Sequence, residues 1–212
     1  SGEGHGPRAV TLLLTSLTTA NLIGRCSTVT REEALGLLSE HNREQSHIKH
    51  ALAVEAAMRH FAPLYGGDPD RWGVVGLLHD LDWEECPEDH GRACVAWLEA
   101  AGADQEMVRA VQAHAFELTG VEPLTSMERV LYAVDELTGF VIAAALVRPS
   151  RSLADLEVPS LKKKWKDKAF ARGVDRSVIQ RGADMLGMRL EDLMQQVLNA
   201  LRPVEGELGL GA

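Results

Sequence analysis

The chain has few cysteines, few aromatic residues, no excess of basic charge and no long apolar run. Its three cysteines, Cys26, Cys86 and Cys94, are widely spaced among 212 residues, which argues against a disulfide framework and favours a cytoplasmic location. Aromatic residues make up 5% of the chain, fewer than expected for a β-sandwich. The net charge of −9 disfavours nucleic acid and anionic membranes as partners. Residues 9–24 contain several Thr and Ser residues and are too short and too polar for a membrane span or a secretion signal.

Helix signals, in contrast, recur along most of the chain. Thr30 and Glu33 form a capping-box pattern before an apolar run, and Ser126 is placed to cap a long helix that Pro149 follows. We therefore predict an all-α fold, a single helical bundle over residues 29–202, with an N-terminal extension at 1–28 and a flexible tail at 203–212. The helices are expected at about 30–38, 46–61, 69–78, 87–101, 104–118, 126–147, 160–170, 175–186 and 190–201.

Several ionisable residues fall on the apolar faces of these predicted helices. His50, His90, His114 and Asp135 each share a helical stripe with apolar residues, and the adjacent pair His79-Asp80 ends another apolar stretch. Inward carboxylates are costly without a partner, and residues from separate helices can offset that cost by sharing a metal ion. The alternative is that each one is a hydrogen-bonded core residue, and the pattern alone leaves both interpretations open.

The order and local context of these residues resemble a known family. His50 is followed after 29 residues by His79-Asp80, and Asp135 comes a further 55 residues on. The surrounding segments are "HIKHALAVEAAM", "WGVVGLLHDLDWE" and "MERVLYAVDELTGFV". This arrangement is similar to the H…HD…D signature of the HD-domain superfamily of metal-dependent phosphohydrolases. The later "LKKKWKDKAFARGV" resembles a subgroup of small stand-alone bacterial and archaeal members.

The resemblance implies a metal site in the helix core. His50, His79, Asp80 and Asp135 would hold one divalent cation, chosen among Mn, Fe, Co, Ni, Zn and Mg. The implied activity is a phosphomonoesterase or phosphodiesterase, in which metal-activated water attacks a small phosphorylated metabolite such as a nucleotide. Two alternatives use the same scaffold: a di-iron oxygenase, and a nucleotide-binding module without catalysis.

Three further acidic or histidine positions are candidates for the same site. In relatives with two metals, two extra histidines lie between the HD pair and the last aspartate, and here His90 and His114 occupy that interval. They would bind a second metal or contact the substrate. Glu84, one helical turn after Asp80, is the expected proton donor or water-orienting acid, with a solvated loop acid as the alternative. Asp82 is left undecided between a cap and an ion pair.

Substrate contacts are expected from His47, Lys163 and Lys164. His47 lies one turn before His50, and the two lysines belong to the basic segment "KKKWKDK". A local positive field would draw an anionic substrate towards the site, and a solvated helix face is the alternative. The expected partner is thus a small phosphorylated substrate, not a membrane or nucleic acid, and a homodimer is left open.

Overall fold

The protein is described by a computed structural model at Ser1 and residues 29–211. The extension at 2–28, including Cys26 and the Thr- and Ser-rich segment at 9–24, lies outside the described residues. The described part contains ten α-helices and no strands, which confirms the all-α prediction. The helices are α1 Arg31–His41, α2 Gln45–Phe61, α3 Pro69–Leu78, α4 Val95–Ala100, α5 Gln105–His114, α6 Phe116–Thr119, α7 Ser126–Leu146, α8 Val158–Lys166, α9 Arg176–Met185 and α10 Leu190–Leu201.

Helix α7 is the centre of the bundle. It packs against α2, α5, α9 and α10, while α2 also packs along α3. Two glycines permit especially close backbone contacts. A Cβ at Gly76 in α3 would lie 2.9 Å from Cα of Glu55 in α2, and a Cβ at Gly182 in α9 would lie 2.5 Å from Cα of Ala133 in α7. The first contact joins α3 to α2 and the second joins α9 to α7, and α2 in turn packs on α7, so the elements that carry the candidate metal ligands lie close together.

The helix starts follow the capping chemistry of the sequence. Thr30 and Glu33 form the predicted capping box of α1. A second capping box begins α7, but its cap is Thr125 paired with Glu128, not Ser126 as predicted. The two positions are adjacent hydroxyl residues, and only Thr125 has an acid at the third helical position, which the capping box requires.

Two predicted helices are interrupted in the structure. The expected helix over 87–101 is a 3-10 turn at Pro87–Asp89, followed by a loop and then α4. The loop turns at Gly91, whose φ of +76° is accessible chiefly to glycine. The expected helix over 104–118 is divided into α5 and α6 at Ala115, whose φ and ψ of −92° and 40° are not helical. Both interruptions lie beside the candidate ligands His90 and His114.

The C-terminal segment, for which a flexible tail was predicted, packs against the bundle. Leu208 and Leu210 are buried, and the backbone N–H of Gly211 donates to the carbonyl of Arg151. The two leucines alternate with glycines, and their buried side chains attach this Gly-rich segment to the bundle. Separately, the described part has no helix with the length and apolar character needed to span a bilayer.

Candidate metal centre

One half of the cluster is built from α2, the end of α3, and α7. His50 lies in α2, His79 and Asp80 directly follow α3, and Asp135 lies in the middle of α7. The Nε2 of His50 is 2.9 Å from Oδ1 of Asp135 and 3.2 Å from Nε2 of His79. The Nε2 of His79 is 3.3 Å from Oδ1 of Asp135. Oδ2 of Asp80 is 3.7 Å from Nε2 of His50, so the structure brings together the four residues on which the sequence resemblance depends.

The other half adds His90 and His114. Their Nε2 atoms are 3.0 Å apart, and they lie 3.3 and 3.4 Å from Oδ1 of Asp80. The second carboxylate oxygen of Asp80 faces the first half, with Oδ2 at 3.4 Å from Nε2 of His79. Asp80 therefore lies between the two halves and directs one oxygen towards each. Ligand atoms within each of three overlapping groups lie within 4.8 Å of one another, an arrangement that can hold a metal ion.

Backbone carbonyls fix the tautomers of two of these histidines. The Nδ1 of His79 is 2.8 Å from the carbonyl oxygen of Gly76, and Nδ1 of His114 contacts the carbonyl oxygen of Val111. A carbonyl oxygen only accepts hydrogen bonds, so each Nδ1 carries the proton and donates. In the neutral ring, the Nε2 of each histidine then presents a lone pair to the cluster, as a metal ligand requires.

Asp82 fixes the tautomer of His90, as the backbone carbonyls do for His79 and His114. This role was not predicted from the sequence. Its carboxylate is fully buried and lies 2.8 Å from Nδ1 of His90. It also accepts hydrogen bonds from the backbone N–H groups of Gly91 and Cys94, each at 3.0 Å. Burial raises the pKa of this carboxyl, but these hydrogen bonds outweigh burial and lower the pKa below its ordinary value. Asp82 therefore holds the loop through the backbone N–H groups of Gly91 and Cys94, and it orients the His90 ring.

The resulting lone pairs face each other at short range. With Nδ1 of His90 and His114 both donating, their Nε2 atoms are two acceptors at 3.0 Å. In the first half, Nε2 of His50 is 3.2 Å from Nε2 of His79 and also 2.9 Å from Oδ1 of Asp135, a carboxylate oxygen to which it can donate. The two facing acceptors of His90 and His114 repel unless they share positive charge, and a cation bound by both rings provides it. Imidazole nitrogen combined with carboxylate oxygen suits a divalent transition metal, so the residues present fit a metal centre.

The electrostatics of the cluster indicate the same preference for positive charge. Burial lowers the pKa of His79, but the carboxylates of Asp80 and Asp135 outweigh it and raise this pKa well above its ordinary value. Burial raises the pKa of Asp80, yet the nearby histidines, His79 foremost, hold it well below its usual range. Asp135 is shifted in the same direction for the same reason. Both carboxylates are therefore ionised at neutral pH.

A cavity of about 460 Å³ opens onto the cluster. Trp83 and Leu118 form part of its wall, and Trp83 is 41% exposed. Glu136, next to Asp135, also lines the cavity. Burial, reinforced by the charge of Asp135, raises the pKa of Glu136 to about 7. The cavity therefore combines the metal-binding groups with an aromatic surface and an additional carboxyl group.

Glu84 lies outside the lining of this cavity. Its carboxylate accepts hydrogen bonds from the backbone N–H groups of Arg43 and Glu44 at 3.0 and 2.9 Å. It also lies 2.8 Å from Nδ1 of His47, and His47 does line the cavity. The structure thus places Glu84 behind His47, where it supports the start of α2 and orients the His47 ring. The direct catalytic role expected for Glu84 has no support from this position.

Lys163 and Lys164 are not brought to the cavity either. Both lie on α8 and line a separate hollow of about 310 Å³ next to the end of α7. The Nζ of Lys164 lies 4.8 Å from the ring centre of Phe170. The lysines expected to attract an anionic substrate are thus absent from the described lining of the cavity.

Comparisons with known proteins add no relative. Protein-family models, curated proteins and solved structures were all compared with the chain, and none matches it. Its function is therefore inferred from the geometry of the cluster and from the resemblance of the sequence motifs.

Proposed function

We propose that the protein is a metal-dependent phosphohydrolase of the HD-domain type, acting on a small phosphorylated metabolite at the His/Asp cluster. The observation that supports it most is the pair of facing Nε2 atoms of His90 and His114, 3.0 Å apart, with Asp80 reaching from them to His79. Four imidazoles and two carboxylates arranged in two halves match the needs of two divalent cations. We therefore favour the binuclear form over the single metal.

Some side chains of the cluster would bind the cations directly, and another would orient a ligand. His50, His79 and Asp135 would hold one cation, His90 and His114 the other, and Asp80 would contact both. Bound divalent cations supply Lewis acidity towards a phosphoryl oxygen and lower the pKa of water to near neutrality. Asp82 keeps the lone pair of His90 directed at the cluster.

Two other groups in the cavity suit the remaining needs of ester hydrolysis. Glu136 lines the cavity next to Asp135, and a carboxyl group at this position can exchange a proton with the reacting ester, which an acid or base catalyst must do. Trp83 offers a ring surface on which a nucleobase or another planar leaving group can stack. We accordingly propose a nucleotide or a related aromatic ester as the substrate class, and a monoester or diester bond as the one cleaved.

The direct test is to replace Asp80 and measure metal content together with activity. Asp80→Ala should reduce bound metal and abolish hydrolysis of an artificial phosphoester, since Asp80 contacts both halves. Asp184→Ala, at an exposed carboxylate on α9, is the control and should retain both. Undiminished metal and hydrolysis in Asp80→Ala would overturn the proposal.

Metal stoichiometry separates the binuclear form from its alternatives. Two metals per chain, falling to one in His90→Ala/His114→Ala, would support the binuclear site. The same donors also suit a pair of irons, so a di-iron oxygenase is the second candidate function. Two irons with oxygen consumption and no ester hydrolysis would favour it. A metal-free protein that binds nucleotide without turnover would favour a binding module.

A further inference from the structure

A second cavity adjoins the His/Asp cavity and differs from it in charge. Its volume is about 410 Å³, and it shares His50 and Gly139 with the first cavity. The first is lined by the carboxylates of the cluster and by Glu136. The described lining of the second has no carboxylate but includes Lys49 and Arg151. Two neighbouring cavities therefore carry opposite electrostatic character.

The two cations of this second cavity have no carboxylate partner among the described residues. By contrast, Arg71 lies 2.7 Å from Asp104. Lys49 is half-buried beside His50 in α2, and Arg151 lies in the loop after α7 with a φ of +48°. Like charges lining one hollow repel each other, and the described lining supplies no carboxylate to offset that repulsion. The arrangement is that of a site for an anion.

Gly139 lies where the two cavities meet. It is in the interior of α7, one turn after Asp135, where glycine costs the helix about 0.5–1 kcal/mol relative to alanine. Packing does not require it, because a Cβ there would meet nothing within 4 Å. A larger side chain would instead project into the space that both cavities border. The glycine leaves room for a ligand that extends from one cavity into the other.

We propose that the second cavity binds a phosphate group of the substrate other than the one hydrolysed. Lys49 and Arg151 would pair with its oxygens, Gln45 and Ser46 on the same lining offer polar contacts, and the reacting phosphoester would lie at the cluster. The substrate would then carry two phosphate groups joined by a spacer that passes Gly139. This assignment rests on the function proposed above.

The first test measures phosphate binding without any turnover. Metal-free protein, prepared with a chelator, is titrated calorimetrically with inorganic phosphate. Lys49→Gln/Arg151→Gln should weaken binding at least tenfold. Lys168→Gln/Arg172→Gln removes the same charge from exposed positions beyond α8 and should bind as the wild type does. Thermal melting of both variants confirms that each is folded.

Three results would overturn the proposal: no phosphate binding by the wild type, equal binding by wild type and Lys49→Gln/Arg151→Gln, or an equal loss in the control variant. The last would indicate general attraction of anions to positive charge and not a site.

The second test uses metal-loaded protein and a series of alkanediol bisphosphates of increasing length, with the matching monophosphates. Lys49→Gln/Arg151→Gln should raise KM at least tenfold more for the preferred bisphosphate than for its monophosphate, and an equal rise for both would contradict the assignment. Absence of hydrolysis for every ester would refute the proposed function alone, since the binding of inorganic phosphate is measured independently of it.

Discussion

The substitution Asp82→Asn separates the orientation of His90 from direct metal binding. Asp82 lies among three donors, Nδ1 of His90 and the backbone N–H groups of Gly91 and Cys94. The variant has nearly the same volume but only one accepting oxygen, and its amide group brings two new N–H donors. At least one existing donor would then face another donor inside the protein.

The size of the effect follows from these contacts. A hydrogen bond to a charged group contributes about 1.5–3 kcal/mol, and a buried unsatisfied donor costs about 1–3 kcal/mol. We expect Asp82→Asn to lower the free energy of unfolding by about 2–4 kcal/mol, measured by denaturant titration. Because groups that orient a metal-binding histidine change affinity by about 10–100-fold, metal should also be lost selectively from the half that contains His90.

Two measurements decide between orientation and simple destabilisation. Metal titration should give one tight and one weakened site in Asp82→Asn, while Glu128→Gln, which removes a buried carboxylate from the capping box of α7, should destabilise the fold and leave both affinities unchanged. Equal weakening of both metals in Asp82→Asn, or an unchanged second site, would refute the orienting role of Asp82.

Two further predictions concern stability. Gly139→Ala should raise the free energy of unfolding by about 0.5–1 kcal/mol. Gly182→Ala should lower it by about 1–3 kcal/mol, because its Cβ would lie 2.5 Å from Cα of Ala133. Denaturant titration of both variants measures this difference. The hydrogen bond from Arg71 lowers the pKa of Asp104 below its ordinary value of 3.8. Asp104 therefore contributes stability that is complete above this ordinary value and is lost as the pH falls through the lower pKa of the folded state. Asp104→Asn should therefore be about 0.5–1 kcal/mol less stable than the wild type at pH 7, and this difference should disappear once the pH falls below the lowered pKa of the folded state, as unfolding curves across pH would reveal.

The sequence was sufficient to predict most of the helices and the inward position of several candidate ligands, because both depend on local patterns. His50, His114 and Asp135 fall on apolar helix faces, and such faces meet in the core of a helical bundle. His90 was predicted on a helix face and lies instead in a loop. Its presence at the cluster follows from the turn at Gly91 and from Asp82, whose hydrogen bonds hold that loop.

The failures have a common cause, since they depend on which distant segments meet. Glu84 follows Asp80 by one turn, but it reaches the backbone of Arg43 and Glu44 because the loop before α2 packs there. The basic run around Lys163 was expected to attract an anionic substrate towards the site, but α8 places it beside another hollow. Lys49 and Arg151, which line the cavity next to the cluster, are single basic residues about 100 positions apart with no pattern to distinguish them.

The charge of the donor set connects the metal count with the type of substrate. The six donors include only two carboxylates, so one divalent cation would make the cluster electrically neutral and two would leave two positive charges. A phosphate ester with two negative charges restores neutrality in the second case and has no such partner in the first. The half of the cluster built on His90 and His114 is therefore the half that would give the site its attraction for phosphate. Asp82, which orients His90 from outside the donor set, would then act on substrate binding through the metal it helps to retain.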